Sequence, residues 1–414
     1  MPKIAIVGAG AAGLIAAGTA LEYGRDVTVF EPNGRVGVKL MITGKGRCNV
    51  TNNSPIDNIL ANIPRNPRFL YAALNSFTPA DVMEFFEGLG VPLKTERGAR
   101  VFPVSDKAAD IVNALEKYTR GAKLLHERVI SIDSADGAVS TLTACDRSGN
   151  IKKYDFDSVI VCTGGLSYPK TGSTGDGYKF AKDLGHKVVG PVPALAPLQT
   201  VEDVKCLEGL SLKNVRLTAY NGNGKEIADD FGEMLFTGRG LSGPIALTVS
   251  SFINRAEKVR FELDLKPALD ENKLEARILR DFEERKNLDV KNATRALMPE
   301  RLNAYVLKVA GIPENKKVNS VTKEERIRLL KALKNLPFTL KRLSPFEEAI
   351  VTAGGVDIKD VTPHMESKHH KGLYFVGEVL DVDALTGGFN LQIAFATGYM
   401  AAKHATKELG EDND

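Results

Sequence analysis

The hydrophobic pattern at the start of the chain predicts a strand, a glycine-rich turn and a helix. Residues 3–7 (KIAIV) are an apolar run of strand length, GAGAAG occupies 8–13, and LIAAGTALEYG at 14–24 has a helical composition. A second strand-like run, RDVTVFE, follows at 25–31. The apolar stretch is rich in Gly and Ala and charged residues follow at once, so we interpret it as a strand-turn-helix unit and not as a signal peptide or membrane span.

Two later apolar runs end in glycine as the first one does. SVIVCTGG at 158–165 runs into a Thr-Gly-Gly sequence, and GLYFVGE at 372–378 ends in Glu378. In a doubly wound sheet, ligands bind outside the carboxyl ends of the strands. Three such ends in one chain predict an α/β fold with one long ligand lying across one sheet.

The middle of the chain has a different pattern. Apolar and polar residues alternate through 191–269 around an Asn-Gly-Asn-Gly turn, which predicts an inserted antiparallel β domain that resembles a barrel. Residues 270–344 are charged and have apolar positions at helical spacing, which predicts a helical subdomain. The Rossmann-type domain is therefore predicted to be discontinuous, with segments 1–190 and 345–414.

Composition and charge exclude several classes of protein. The 414 residues are 43% hydrophobic and 26% charged, which is typical of a globular chain. Lys and Arg total 55 and Asp and Glu total 52, so the net charge of +3 demands no nucleic-acid partner. The four cysteines are far apart and form no CxxC pair. This argues against a disulfide framework or a zinc cluster, and we expect a cytoplasmic protein with no membrane partner.

The glycines at 8–13 have the spacing of a dinucleotide-binding turn. Gly8 allows the tight turn, Gly10 lets the backbone approach a pyrophosphate, and Gly13 lets helix and strand pack closely. The helix start then offers free N–H groups to phosphate. Glu31 follows about 20 residues later, where an acid accepts a ribose hydroxyl. This motif by itself does not distinguish FAD from NAD.

The segment after Glu378 favours a flavin. Gly387 and Gly388 let the backbone come close to a ring, and an apolar helix follows whose first turn holds Asn390, Leu391 and Gln392. The N–H groups of that helix start would face the flavin pyrimidine edge, where a helix N-terminus stabilises negative charge. The alternative is a capped helix with no ligand, in which Asn390 is a plain N-cap.

Several longer blocks carry a resemblance to a known family. The chain resembles a bacterial family of FAD-binding oxidoreductases that includes aminoacetone oxidase and dehydro-bile-acid reductase flavoproteins. The resemblance covers nearly the whole chain. The main blocks are GAGAAGLIAA (8–17), GVKLMITGKGRCNVTN (37–52), TGGLSYPKTGSTGDGY (163–178), LFTGRGLSGP (235–244) and GEVLDVDALTGGFNLQIAFATG (377–398).

The resemblance implies non-covalent FAD on a glutathione-reductase-like Rossmann domain, with a substrate domain inserted late in the chain. The implied cofactor-binding residues are Gly8, Gly10, Ala12, Gly13, Glu31, Lys39, Gly46, Arg47, Cys48, Asn49, Val129, Glu378, Asn390, Leu391 and Gln392. The strand-end pattern adds Thr163, Gly164, Gly165, Gly377 and Gly388. Two departures from the family pattern argue against assigning a family member's substrate to this chain. Gly238 stands where the family usually has His, and Phe389 and Ile393 flank the Asn-Leu-Gln sequence.

Two residues are candidates for catalysis. Arg47 would offset charge on a reduced flavin or hold a substrate anion, and the alternative is a structural ion pair. Tyr168 would donate or accept a proton, and the alternative is packing over the flavin edge. Cys48 has no second thiol nearby, so we interpret it as a single buried thiol. We predict no metal site, because His369 and His370 have no third ligand.

The predicted function is an FAD-dependent oxidoreductase that transfers hydride to or from a small organic substrate. NADH or NADPH is expected as a transient co-substrate, although no second nucleotide fingerprint is present. A flavin oxidase that passes electrons to oxygen stays open. A flavoprotein that acts on RNA through the basic helical insert is less favoured, because acids interleave with the bases. A flavin-binding scaffold without turnover is a further alternative.

Overall fold

The computed structural model describes residues 1–411, with side chains to residue 408. Residues 412–414, at the end of the predicted Rossmann segment, lie outside the described residues. The chain divides into two compact units, residues 1–193 with 349–414, and residues 194–348. Within the described residues, no helix is long and apolar enough to cross a bilayer.

The first segment of the larger unit contains eleven strands and seven helices. The strands are β1 (Lys3–Val7), β2 (Asp26–Phe30), β3 (Thr51–Asn52), β4 (Leu93–Glu96), β5 (Arg100–Pro103), β6 (Lys123–Leu125), β7 (Arg128–Ala135), β8 (Ala138–Cys145), β9 (Ile151–Asp155), β10 (Ser158–Val161) and β11 (Val188–Ala194). The helices are α1 (Ala11–Glu22), α2 (Val38–Ile42), α3 (Ile56–Ala61), α4 (Tyr71–Ser76), α5 (Pro79–Gly88), α6 (Ala108–Tyr118) and α7 (Asp176–Asp183).

The inserted unit follows, and then the chain returns to the larger one. The inserted strands are β12 (Leu198–Thr200), β13 (Ser211–Tyr220), β14 (Glu226–Thr237), β15 (Gly240–Ser242), β16 (Arg260–Asp264) and β17 (Leu336–Leu343). Its helices are α8 (Pro244–Ile253), α9 (Glu271–Glu284), α10 (Val290–Ala293), α11 (Glu300–Ala310) and α12 (Lys323–Lys334). The returning segment contributes β18 (Val351–Val356), β19 (Leu373–Phe375) and α13 (Phe389–Glu411).

Five parallel strands form the central sheet of the larger unit, in the order β19-β10-β1-β2-β6. In β1, Val7 pairs with Val161 of β10 on one side and with Phe30 of β2 on the other. The last four residues of both β1 and β2 are buried, as expected for parallel strands covered on both faces. The carboxyl ends of β1, β10 and β19 therefore lie side by side at one edge. This confirms the predicted α/β class with a Rossmann-type sheet.

The inserted unit is built around a closed barrel of six strands in the order β12-β15-β14-β13-β16-β17. Its strand pairs are antiparallel. The long hairpin of β13 and β14 turns at Asn221, whose Oδ1 accepts the N–H groups of Asn223 and Lys225, each at 3.0 Å. The barrel and the helices share one hydrophobic core. The closed antiparallel barrel confirms the predicted architecture of the insert, and the boundary at residue 269 stays a prediction.

Candidate cofactor site

The turn between β1 and α1 is shaped by two glycines with different neighbours. A Cβ on Gly13 would lie 1.9 Å from the carbonyl oxygen of Gly8, so helix and strand pack only if residue 13 has no side chain. A Cβ on Gly10 would meet no atom within 4 Å. The protein's own packing therefore does not require glycine at position 10. That open space lies directly before the first residue of α1, where a phosphate would approach the helix N-terminus.

Glu31 follows β2 and its carboxylate is fixed beside this turn. Oε2 accepts the backbone N–H of Ala9 at 2.9 Å, and Oε1 accepts that of Asn33 at 2.9 Å. The residue is 8% exposed. A carboxylate has about four acceptor positions, so two bonds leave room for a ribose hydroxyl. Val129, predicted to lie at the adenine, is in β7 and pairs with Ala144 of β8.

The loop after α2 contains a buried thiol and a strained backbone. Cys48 is 0% exposed and has a positive φ of 59°. Burial raises the pKa of this thiol to about 11, so it stays protonated near neutral pH. The neighbouring Asn49 Oδ1 is buried without a hydrogen-bond partner among the described residues. It lies 3.0 Å from the position that a Cβ on Gly388 would take.

Arg47, in the same loop, is engaged in ion pairs. Its Nε and Nη2 donate to Asp106 Oδ1 at 2.8 and 2.6 Å, and Nη2 also donates to Glu96. The guanidinium carbon lies 4.1 Å from the centre of the Phe102 ring. The hydrogen bond from Arg47 lowers the pKa of Glu96. The structure thus shows the ion pair that was one of the two interpretations of Arg47, and its catalytic role stays a prediction.

The strand ends after β10 and β19 bring further predicted residues together. The hydroxyl of Thr163 is buried without a partner in the described part of the chain. Glu378 follows β19, and its Oε2 lies 2.6 Å from Lys39 Nζ. Tyr168 is partly exposed and has a left-handed φ of 54°, directly before a 3-10 turn at Pro169–Thr171.

The start of α13 agrees with the prediction that Asn390 lies in the first helical turn, and not with the alternative in which Asn390 is the N-cap. The helix begins at Phe389, so Asn390 lies within its first turn and not at the N-cap. The Asn390 side chain accepts the N–H of Ala384 at 2.9 Å and donates to its carbonyl at 2.7 Å. Gln392 Nε2 donates to the carbonyl of Phe77 at 2.7 Å. These side-chain hydrogen bonds attach the helix start to neighbouring loops.

The other predicted residues lie on the same elements. Ala12 is in α1, Gly46 ends the 3-10 turn Thr43–Gly46, Gly164 and Gly165 follow β10, Gly377 begins the 3-10 turn Gly377–Val379, and Leu391 is in α13. Sequence reasoning missed Ser167 and Thr352, whose hydroxyls contact the Glu378 network. Both are within conspicuous Gly-rich blocks, but no local pattern indicates that they meet.

The inserted unit has a cavity of about 270 Å³. Arg239 and Glu348 line it and are paired, with 2.5 Å between Nη2 and Oε1. A Cβ on Gly238 would lie 2.9 Å from Glu208 Oε2. Gly238, which stands where the family usually has His, therefore contributes no side chain to the lining of this cavity.

The residues of the larger unit fit FAD. The open approach at Gly10, the fixed Glu31 carboxylate and the unpartnered oxygens of Asn49 and Thr163 are features that a bound ligand would complete. Three strand ends meet at one edge, where such folds bind nucleotides. Fold and site together define an FAD-dependent oxidoreductase of the Rossmann type.

The family is shown by sequence comparison. The profile of the HI0933-like protein Rossmann domain matches residues 2–404, so the chain belongs to the HI0933-like family. It is 29% identical to a 3-dehydro-bile acid delta(4,6)-reductase of Clostridium scindens, over 98% of this chain and 100% of the relative. It is 31% identical to a ribosomal RNA dihydrouridine synthase of Haemophilus influenzae, over 97% of this chain and 98% of the relative.

One solved structure illustrates the fold. A 3-ketosteroid delta1-dehydrogenase from Sterolibacterium denitrificans, in complex with 1,4-androstadiene-3,17-dione, superposes with a TM-score of 0.51. It is 14% identical, and the match covers 99% of this chain and 100% of that one. At this identity the likeness shows the fold alone.

Proposed function

We propose that this protein is an FAD-dependent reductase that saturates a carbon–carbon double bond conjugated with a carbonyl group. The observation that carries the proposal is the start of α13, where the backbone N–H groups of the first helical turn follow Gly388. The unpartnered Asn49 Oδ1 lies beside this glycine. A helix N-terminus favours negative charge, which two-electron reduction places on the flavin pyrimidine. The names of two relatives, a delta(4,6)-reductase and a dihydrouridine synthase, denote the same kind of bond saturation.

FAD, when bound, supplies the two-electron chemistry, and the protein binds and orients it. Saturation of a double bond also needs one proton, and we assign its delivery to the hydroxyl of Tyr168. This residue follows the Thr-Gly-Gly strand end and is partly exposed, which suits a proton donor beside a bound flavin. The pair of Lys39 and Glu378 is assigned to cofactor binding.

We infer that NADH or NADPH is the electron donor and that the substrate is a small organic molecule. The chain has no second dinucleotide motif, so the donor would dock transiently beside the flavin. The four scattered, free cysteines favour the reducing cytoplasm in which this donor is available. The alternative is an oxidase in which oxygen accepts the electrons, and spectroscopy of the flavin distinguishes the two.

Uridine in RNA is a second candidate substrate, and the likeness to the ribosomal RNA dihydrouridine synthase favours it. The contacts of the basic helix α12 count against a large RNA surface there. Lys334 pairs with Asp264 at 2.5 Å, and Arg326 lies 3.7 Å from Glu275. Paired cations have less to offer to phosphates than free ones.

The test is anaerobic visible spectroscopy of the purified protein. NADH or NADPH should bleach the flavin bands, and a cyclic enone should restore them, while the saturated ketone should not. If RNA restores the flavin bands and the enone does not, uridine in RNA is the substrate. Recovery with oxygen alone would replace the reductase with an oxidase. Tyr168→Phe should slow recovery by the enone but not bleaching, whereas the exposed Tyr23→Phe should change neither.

A further inference from the structure

Ser167 and Thr352 are two hydroxyl residues at the centre of the Glu378 network, and neither was predicted as a site residue. Both are 0% exposed. Ser167 lies in the loop after β10 and Thr352 in β18, so they come from distant parts of the sequence. Buried hydroxyls are retained where they satisfy other polar groups, so their partners indicate their role.

A closed ring of three hydrogen bonds joins Lys39, Ser167 and Glu378. Lys39 Nζ donates to Ser167 Oγ at 2.7 Å and to Glu378 Oε2 at 2.6 Å. Ser167 Oγ in turn lies 2.9 Å from Glu378 Oε1. Its alternative acceptor, the carbonyl of Ile350, is further away at 3.2 Å. The ionised carboxylate is the stronger acceptor, so the Ser167 proton is directed to Oε1.

Thr352 holds both sides of this ring. Its backbone N–H donates to Glu378 Oε1 at 2.8 Å. Its hydroxyl oxygen accepts the N–H groups of Leu166 at 2.8 Å and Ser167 at 3.1 Å. Thr352 therefore fixes the carboxylate through its main chain and the Ser167 loop through its side chain.

The donors are distributed unequally over the two carboxylate oxygens. Glu378 Oε1 receives two donors, from Ser167 and Thr352, whereas Oε2 receives one, from Lys39. A carboxylate has about four acceptor positions, so the position that remains is on Oε2. The Glu378 side chain is 21% exposed, so the carboxyl group is not sealed in the interior.

We propose that Ser167 and Thr352 are positioning residues that present Glu378 Oε2 to a hydroxyl of the FAD sugar-alcohol chain. Neither hydroxyl needs to touch the cofactor, because both act through the carboxylate. This inference rests on the cofactor-binding role proposed for Glu378. It does not depend on the reaction that the bound flavin performs.

The test is a double-mutant cycle on FAD affinity, measured by quenching of flavin fluorescence on titration into the apoprotein. Ser167→Ala should raise the Kd about tenfold, the effect of one lost hydrogen bond to a charge. Thr352→Val keeps the backbone N–H bond to Glu378 but loses the bonds that hold the Ser167 loop, so it should raise the Kd as well. In a Glu378→Ala background, the same changes should alter the Kd less than about twofold, because the group they position is gone. Thr352→Ser restores the hydroxyl and should bring the Kd back near the wild-type value.

Apoprotein melting curves accompany each titration, since a positioning residue should affect FAD affinity more than folding. If Ser167→Ala does not fold, Ser167→Cys keeps the volume and weakens the donor. Equal effects of Ser167→Ala with and without Glu378 would overturn the proposal, as would an unchanged Kd for Glu378→Ala. No substrate or electron donor is present, so failure of the reductase assignment would leave these results untouched.

Discussion

The Glu31 carboxylate reaches back to the cofactor turn and accepts the backbone N–H of Ala9 at 2.9 Å. A hydrogen bond to a charged acceptor contributes about 1.5 to 3 kcal/mol. Glu31→Ala removes this bond and the predicted ribose contact, so FAD affinity should fall about tenfold to a hundredfold in a fluorescence titration. Glu116→Ala, an exposed acid on α6, is the matched control and should leave the Kd unchanged. Equal Kd values for both variants would contradict a role of Glu31 in cofactor binding.

The glycines at positions 10 and 13 should respond differently to alanine. Gly13→Ala forces a Cβ to 1.9 Å from Gly8 O, so the turn must shift and the apoprotein should melt at a lower temperature. Gly10→Ala meets no protein atom, so the apoprotein should melt as wild type does while its FAD affinity falls. Calorimetry of the apoprotein and FAD titration separate the two effects. An unchanged FAD affinity in Gly10→Ala would contradict the prediction that a phosphate binds at this turn.

The hydrogen bonds and burial of His186 predict that the folded protein loses stability in acid. Ser367 Oγ accepts the N–H groups of His369 and His370, each at 3.0 Å, so its own proton is donated to His186 Nε2 at 2.7 Å. His186 Nδ1 then carries the proton and faces the carbonyl of Ala181 at 3.2 Å. Burial, and next the nearby His369, lower the pKa of His186 to about 4. A second proton would break this arrangement.

The sign of the effect follows from comparison with the unfolded chain. An unfolded histidine titrates near pH 6.5, so the unfolded state binds the proton first as pH falls. The contribution of His186 is complete above about pH 6.5 and is lost progressively down to about pH 4. Its loss amounts to about 3 kcal/mol of unfolding free energy. Urea unfolding across that range should show a shallower pH dependence for His186→Gln than for wild type, while the exposed His126→Gln should match wild type.

Substitutions in the Arg47 ion pairs distinguish a structural role of this residue from a catalytic one. Arg47→Lys keeps the charge but loses the fork that binds Asp106 and Glu96, so the melting temperature should fall slightly. Glu96→Gln weakens the same ion pairs and should lower it by a similar amount. NADH-driven bleaching of the flavin should be unaffected in both variants if the guanidinium only anchors the loop. A large rate loss in Arg47→Lys alone would instead support the catalytic prediction.

The sheet was predictable because its signals are local. A glycine-rich turn after a short apolar strand, an acid at the end of the next strand and an Asn-Gly turn each specify backbone geometry over a few residues. The Glu378 network was not predictable in this way. Lys39, Ser167, Thr352 and Glu378 meet only because β10, β18 and β19 converge, and their side-chain types are common everywhere in the chain.

The role of Asn390 was predictable only in part. An Asn before an apolar run indicates a helix start, and α13 does start there. The contact of the Asn390 amide with the loop at Ala384 was not predicted. That contact depends on which loop packs beside the helix, and the local sequence does not contain this information.

The place of β19 in the sheet has a consequence for biosynthesis. β10 pairs with β19, but the whole inserted unit is translated between them. At a synthesis rate of about 5 to 20 residues per second, the ribosome needs about 10 to 40 s to cover that distance. During this interval one edge of β10 has no partner strand, and the helix start at Phe389 does not yet exist. With the proposed site, FAD can bind only after the start of α13 has been synthesised, and chains that terminate before β19 have an open sheet edge.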